Sequence, residues 1–214
     1  MYIPKANEET RIPVIHELIR AQPLGALVTL GSGGLVATHL PLVLEDDGSE
    51  YGVLKGHVSR ANPQWRDLVA AAEALAIFAG HHHYISAAWY PGRTEHGKEV
   101  PTWNYAVVHA YGTLRIVENE EWLLAHLTSL TDIHEAAVHA LDGERPWQVS
   151  DAPAEYIAQM MNGIVGLELP IRRLEGRWKA SQNRNERDRA AVAAGLERLG
   201  TPESLAMQAM VERK

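Results

Sequence analysis

The sequence predicts a mainly β chain with peripheral helices, an α+β fold in which antiparallel strands form a small barrel. Three segments with strand character follow one another at 25–31, 35–45 and 51–59, separated only by short turns. Parallel neighbours would need long crossover connections, so these three strands are expected to form an antiparallel meander. A doubly wound α/β fold is disfavoured, because no helices separate these strands.

The first element along the chain is a helix that either Asn7 or Thr10 can cap and that ends at about Ala21. Its apolar residues lie on one stripe and are Ile12, Ile15, Leu18 and Ile19. After the three strands, Asn62 and Pro63 predict a short helix to about residue 69, because Asn suits the cap and Pro the first helical position.

The second part of the chain alternates strands and helices. Strands are predicted at 74–80, 100–117 and 163–181, and helices at 121–141 and 153–162. Two more helices, at 185–199 and 201–211, end the chain. We therefore expect one domain over residues 1–214, with a helical C-terminal extension from about 185 to 214.

Composition excludes several classes of protein. Lys and Arg total 20 against 27 Asp and Glu, a net charge of -7, which argues against broad electrostatic attraction to nucleic acid. The absence of cysteine excludes disulfides, thiolate catalysis and cysteine-ligated zinc. Without an apolar leader or a run of about 18 apolar residues, a cytoplasmic protein with no membrane partner is expected.

The segment most suggestive of chemistry is LKGHVSRANPQW, at 54–65. In a strand, Lys55, His57 and Ser59 share one face because side chains alternate. Arg60 follows, and the predicted helix start would offer backbone amides nearby. Cations, a hydroxyl and a helix N-terminus together suggest a phosphate cradle. The alternative is an exposed basic edge beside a capped helix.

A histidine-rich segment, GHHHYISAAWY, follows the fourth strand. His81 and His83 would share a strand face, a spacing that could chelate a metal ion or approach a haem, with a third ligand from His39, His57 or His109. The spacing matches neither HExxH nor a zinc finger. Neutral, hydrogen-bonded histidines are the alternative.

The long strand VPTWNYAVVHAYG, at 100–112, carries unusually many rings and amides. Trp103, Asn104 and Tyr105 could line a pocket for a flat, partly polar ring system, although a barrel interior or dimer interface explains them too. Near the C-terminus, Gln182 and Arg184 precede a helix that Asn185 caps. Catalysis by a protein nucleophile is unsupported, because GxSxG, SxxK and the Walker motif are all missing.

In this order, MYIPK, THLPL, GHVSRANPQW, HHHYISAAWY, VPTWNYAVVHAYG and WKASQNR resemble the PaiB family of FMN-binding negative transcriptional regulators. The resemblance covers roughly residues 1–199, and SAAWY departs from the expected SPSWY. It implies a flavin-reductase-like, antiparallel split β-barrel of the FMN-binding type. It also implies a homodimer with flavin sites at the subunit interface.

By this resemblance, Lys55, Ser59 and Arg60 match the cationic and hydroxyl cluster that grips the FMN phosphate. The resemblance extends the cofactor site to four further residues: His57, Trp103, Asn104 and Gln182.

DNA is a partner only by the family's description. The dense basic run at 184–189 is interrupted by acidic residues, and no helix-turn-helix is recognisable. A flavin-dependent oxidoreductase acting on a small molecule, a haem- or metal-binding barrel that uses His81–His83, and a barrel without a ligand remain the alternatives.

Overall fold

A computed structural model describes residues 1–69, 72–140 and 143–213. Within them the chain forms nine strands and six α-helices. The strands are β1 (Glu8–Glu9), β2 (Leu24–Gly31), β3 (Gly34–Pro41), β4 (Val43–Glu45), β5 (Val53–Ser59), β6 (Ala74–Ile85), β7 (Thr102–Gly112), β8 (Arg115–Val117) and β9 (Ile164–Lys179). The helices are α1 (Ile12–Ala21), α2 (Gly92–Glu95), α3 (Glu120–Val138), α4 (Ala154–Met161), α5 (Glu186–Leu199) and α6 (Pro202–Glu212).

The strands join in the order β3-β2-β6-β7-β9-β5-β4, and β1 and β8 also pair with β9. The β2–β3 and β5–β9 pairs are both antiparallel. This architecture confirms the predicted antiparallel α+β fold. The chain packs as two compact units, which are described separately below: Met1–Leu18 with Phe78–His109 and Glu175–Lys214, and Ile19–Ile77 with Ala110–Leu174.

The first unit contains the two C-terminal helices, which form as predicted; Lys214 lies outside the described residues. Asn185 begins α5, its side chain accepting a hydrogen bond from the Asp188 amide at 2.8 Å. Gly200 ends the helix with φ +66°, a left-handed conformation that glycine adopts without steric cost. The core beneath these helices includes Ile85, Val192, Leu196, Met207 and Val211.

The second unit contains the β2–β3 hairpin and the β4–β5–β9 ladder. The predicted second strand, 35–45, is in fact two strands: β3 pairs with β2, and β4 pairs with β5. The continuous three-strand meander is therefore wrong. Pro41 has no N–H with which to continue a ladder, and the Leu42 amide instead donates to the Pro23 carbonyl at 2.9 Å.

Helix α3 begins where the sequence places a helix, with the Asn119 side chain accepting from the Trp122 amide at 2.7 Å. Leu141, the predicted end of that helix, lies outside the described residues. The predicted helix at 63–69 is only a 3-10 turn, Pro63–Trp65, although Asn62 does cap it. Across the described residues, no helix is both long enough and apolar enough to cross a membrane.

Candidate functional site

A cleft of about 620 Å³ opens in the second unit. Its walls come from β3, β5, the Asn62 turn, the end of α4 and the start of β9. The lining residues are Thr38, His39, Leu40, Pro41, His57, Val58, Ser59, Asn62, Gln159, Met160, Gly163 and Ile164. Small-molecule and cofactor sites typically measure about 300–1,000 Å³, so this cleft is large enough for such a ligand.

Strand β5 supplies two polar side chains of the cleft because its residues alternate between buried and accessible faces. Leu54, Gly56 and Val58 are buried, whereas His57 is half-buried and Ser59 is exposed. Gly56 lets β5 approach the preceding segment, since a Cβ there would lie 2.9 Å from Leu42 Cδ2. The predicted face of β5 is thus present, and it brings His57 and Ser59 to one cleft.

Lys55 lies on the same face of β5 but is held by an ion pair. Its Nζ lies 2.6 Å from Glu45 Oε2, and 5.8 Å from the centre of the Trp122 ring. Both partners of the pair are half-buried. A ligand phosphate would therefore compete with Glu45 for this ammonium group.

Arg60 stabilises one wall of the cleft. Its Nε donates to the Asn162 carbonyl at 3.1 Å and its Nη2 to the Ile164 carbonyl at 3.2 Å. Nη1 pairs with Glu118 Oε1 at 2.6 Å. Glu118 is more than half exposed, so an anion that replaced it would exchange one surface ion pair for another.

The backbone amides of the 60–64 turn are already engaged, contrary to the expectation that a helix start would leave them open. Each donates to an oxygen of the turn or of residue 163, and the four amides are those of Arg60, Ala61, Asn62 and Gln64. A single 3-10 turn closes on itself, whereas a long helix leaves its first amides unpaired. Donors for an anion must therefore come from side chains.

A buried histidine, His126, contacts the cleft residue His57. Nδ1 of His57 and Nε2 of His126 are 3.1 Å apart. Burial lowers the pKa of His57. Burial, followed by the nearby charges of His57 and Lys55, lowers the pKa of His126 to about 4. Both rings are therefore neutral at pH 7. Sequence reasoning missed His126, because nothing in its helical segment marks it as functional.

The other predicted site residues, Trp103, Asn104 and Gln182, lie in the first unit. Trp103 is 49% exposed, and its indole N–H lies 3.4 Å from Nδ1 of His82. Asn104 is fully buried, and its amide donates to the Ser181 hydroxyl at 2.9 Å. The Gln182 side chain accepts from the Ala180 amide at 2.6 Å. A cofactor role for all three stays a prediction.

The histidine-rich segment continues the fourth predicted strand and forms the end of β6. His81 and His82 are exposed, and Nδ1 of His83 lies 2.7 Å from the Tyr84 carbonyl oxygen. Among residues 1–69, 72–140 and 143–213, no three histidine, aspartate or glutamate side chains are grouped to hold a metal ion.

The sheet order is that of a split-barrel protein, and the cleft is large enough for a small molecule. The chain belongs to the family described as "Putative FMN-binding domain", whose model matches residues 1–173. A relative from Bacillus subtilis, protease synthase and sporulation protein PAI 2, is 33% identical over all of this chain and 98% of its own. These matches confirm the PaiB family predicted from the sequence, and FMN is the cofactor that this family assigns.

Solved structures show the same fold. A conserved hypothetical protein from Mycobacterium tuberculosis superposes with a TM-score of 0.60 at 15% identity, covering 87% of this chain and 95% of its own. The FAD and haem binding protein from Mycobacterium smegmatis gives a TM-score of 0.57 at 16% identity, over 81% of this chain and 73% of its own. At such low identity the likeness concerns the fold alone.

Proposed function

We propose that this chain binds FMN in the 620 Å³ cleft and acts, as a cytoplasmic homodimer, in regulation of the PaiB type. The observation that carries the proposal is that the family-specific segment GHVSRANPQW forms one wall of this cleft. Family membership supports FMN as the cofactor, and the position of this segment in the cleft supports that location for it.

The residues present fit such a ligand. The Ser59 hydroxyl and the Arg60 guanidinium are phosphate donors, and Arg60 needs only to release Glu118. Apolar side chains offer a surface for a flat ring system: Leu40, Pro41, Met160 and Ile164. Bound FMN would supply redox chemistry, whereas the chain itself would supply binding and orientation.

The test is a titration with FMN, followed by absorption and flavin fluorescence, on the wild type and on Arg60→Ala. Loss of a charge-assisted contact costs about 1.5–3 kcal/mol, so the affinity should fall roughly ten- to a hundredfold. Arg66→Ala is the matched control: Arg66 stacks on the same Trp65 ring, at 4.5 Å against 5.7 Å for Arg60. Neither arginine is among the residues that line the cleft, but Arg60 donates to the carbonyl of the lining residue Ile164.

A wild type that ignores FMN would overturn the proposal. Equal losses in Arg60→Ala and Arg66→Ala would remove Arg60 from the site. Sedimentation of the FMN-loaded protein tests the homodimer, and a monomeric mass at micromolar concentration would refute the proposed dimer. NAD(P)H oxidation by the loaded protein would reassign it to the flavin-dependent oxidoreductases.

We propose that regulation does not act through the basic run at the start of α5. Arg184 pairs with Glu99 at 3.2 Å and stacks on Tyr90, and Arg187 pairs with Glu95. Cations already paired with carboxylates release fewer counterions on meeting DNA, which weakens their binding to phosphates. Operator reading by α5 therefore does not fit these contacts.

A further inference from the structure

We propose that His126 is a positioning residue that fixes the tautomer of His57, so that His57 presents an Nε2–H donor to an acceptor atom of the ligand in the cleft. The inference deepens the proposed function and rests on FMN occupying this cleft. It assigns a role to a buried side chain that belongs to neither the phosphate donors nor the apolar walls.

The geometry holds the two rings in one arrangement. His57 lines the cleft, and its Nδ1 lies 3.1 Å from Nε2 of His126, a normal hydrogen-bond distance. The rings meet edge to face, with centroids 5.3 Å apart. His126 is only 2% exposed and stacks on Trp122 at 5.3 Å, and the Trp122 indole N–H donates to Glu168 Oε1 at 2.9 Å.

One proton lies between the two rings, and the surroundings decide which ring carries it. The Nδ1 atom of His126 is buried and has no hydrogen-bond partner among the described residues. If His57 donated from Nδ1, His126 would accept at Nε2 and would carry its own proton on this buried, unpartnered Nδ1. A buried N–H without an acceptor costs about 1–3 kcal/mol, and orphaned N–H groups are rarer than under-satisfied acceptors.

The opposite arrangement avoids that cost. His126 then carries its proton on Nε2 and donates it to Nδ1 of His57, and only a lone pair is left buried. The proton of His57 must lie on its other nitrogen, Nε2, because a neutral imidazole carries one proton. His57 therefore presents its Nε2–H group to the cleft as a hydrogen-bond donor, which suits an oxygen or nitrogen acceptor of FMN.

The charges around the pair keep both rings neutral, as this assignment requires. Burial opposes a positive charge on His126 most strongly, and His57 and Lys55 on β5 oppose it further, so the pKa of His126 falls to about 4. The nearby carboxylates are engaged, Glu45 by Lys55 and Glu168 by Trp122. Burial, His57 and Lys55 thus disfavour an added proton on His126 at neutral pH.

The first test needs no ligand. Side-chain nitrogen chemical shifts from ¹⁵N-histidine-labelled protein at pH 7 distinguish the two neutral tautomers. We expect His57 and His126 both to be protonated at Nε2. A His57 protonated at Nδ1, or a doubly protonated ring in the pair, would overturn the proposal whether or not the protein binds FMN.

The second test measures FMN affinity by fluorescence titration in two variants of His126. His126→Leu removes the donor, so His57 can rotate or change tautomer, and the affinity should fall about three- to tenfold, the equivalent of one neutral hydrogen bond. His126→Gln keeps an N–H of similar reach and should bind FMN within about twofold of the wild type. Equal affinities in the wild type and both variants, or equal losses in both variants, would refute the positioning role.

A third arm separates positioning from general damage. In a His57→Leu background, His126→Leu should change the affinity by less than about twofold, because its effect passes through a ring that is no longer present. An undiminished effect there would show that His126 acts by another route. A wild type that does not bind FMN would remove the proposed function, and the nitrogen shifts would still decide the tautomer.

Discussion

Gly166 on β9 is a position where adding a single methyl group should clearly lower the stability of the protein. It pairs with His57 across the β5–β9 ladder, and the Trp122 ring lies over it. A Cβ at residue 166 would lie 2.3 Å from Cζ3 of Trp122, 2.8 Å from Cε3, and 3.0 Å from the Val117 carbonyl oxygen. Contacts this short do not occur, so Gly166→Ala must displace the indole or separate the strands.

The magnitude follows from overpacking, which costs about 1–3 kcal/mol when one extra methyl group enters a filled site. In a protein of this size each kcal/mol lowers the melting temperature by about 2–4 °C, so Gly166→Ala should melt about 2–12 °C below the wild type. Displacing Trp122 also weakens its hydrogen bond to Glu168 and its stack on His126, which places the true value in the upper part of that range.

Thermal unfolding followed by circular dichroism measures the effect, with Gly33→Ala as the matched control. A Cβ at residue 33 meets no atom within 4 Å, so that variant should melt within about 2 °C of the wild type. Adding Trp122→Phe to Gly166→Ala should raise the melting temperature again, because a smaller ring relieves the clash. If Gly166→Ala has the melting temperature of the wild type, or if the double variant melts at a lower temperature than Gly166→Ala, the reasoning from the clash with Trp122 is refuted.

The remaining predictions concern pH, a helix cap and DNA. Burial, with His57 and Lys55 nearby, lowers the pKa of His126 in the folded protein to about 4 from an ordinary 6.5, so the unfolded chain binds more protons between these pH values. The free energy of unfolding should therefore fall by up to about 3 kcal/mol as the pH drops from 6.5 to 4, and urea unfolding of His126→Gln should lack this component. Asn185→Ala removes the cap of α5 and should cost about 1 kcal/mol by the same assay, and an unchanged value would contradict the cap's role. In a mobility-shift assay, DNA should bind weakly and lose affinity steeply with salt, and a tight shift at physiological salt would contradict this.

The starts of the helices are encoded locally in this sequence, because capping is local. Asn119, Asn185 and Thr201 each accept a hydrogen bond from a backbone amide of the first turn that follows, and Gly200 has the left-handed φ that ends α5. Such contacts span at most four residues, so short patterns encode them. The break at Leu42 is different, because its amide donates to the Pro23 carbonyl 19 positions earlier in the sequence, and no local pattern reports such a partner.

The candidate site divides in the same way. Strand alternation was enough to place His57 and Ser59 on one face of β5, and the structure brings both to the cleft. The carboxylates that hold Lys55 and Arg60, and the buried ring of His126, come from other elements and depend on packing across the sheet. Periodicity predicts which face of a strand a residue occupies, but not which side chain from a distant part of the sequence contacts it there.

The position of strand β9 late in the chain also affects how the protein folds during its synthesis on the ribosome. Residues 176 and 177 pair with β1, residues 164–170 with β5, and residues 166–168 with β8. Strands β5 and β8, made earlier, thus lack this partner until synthesis passes residue 164, and β1 lacks it until residues 176 and 177 are made. Such non-local pairing slows folding and leaves strand edges exposed in the nascent chain. A chain released early, before β9 emerges, would keep unpaired edges and would be a natural client for chaperones.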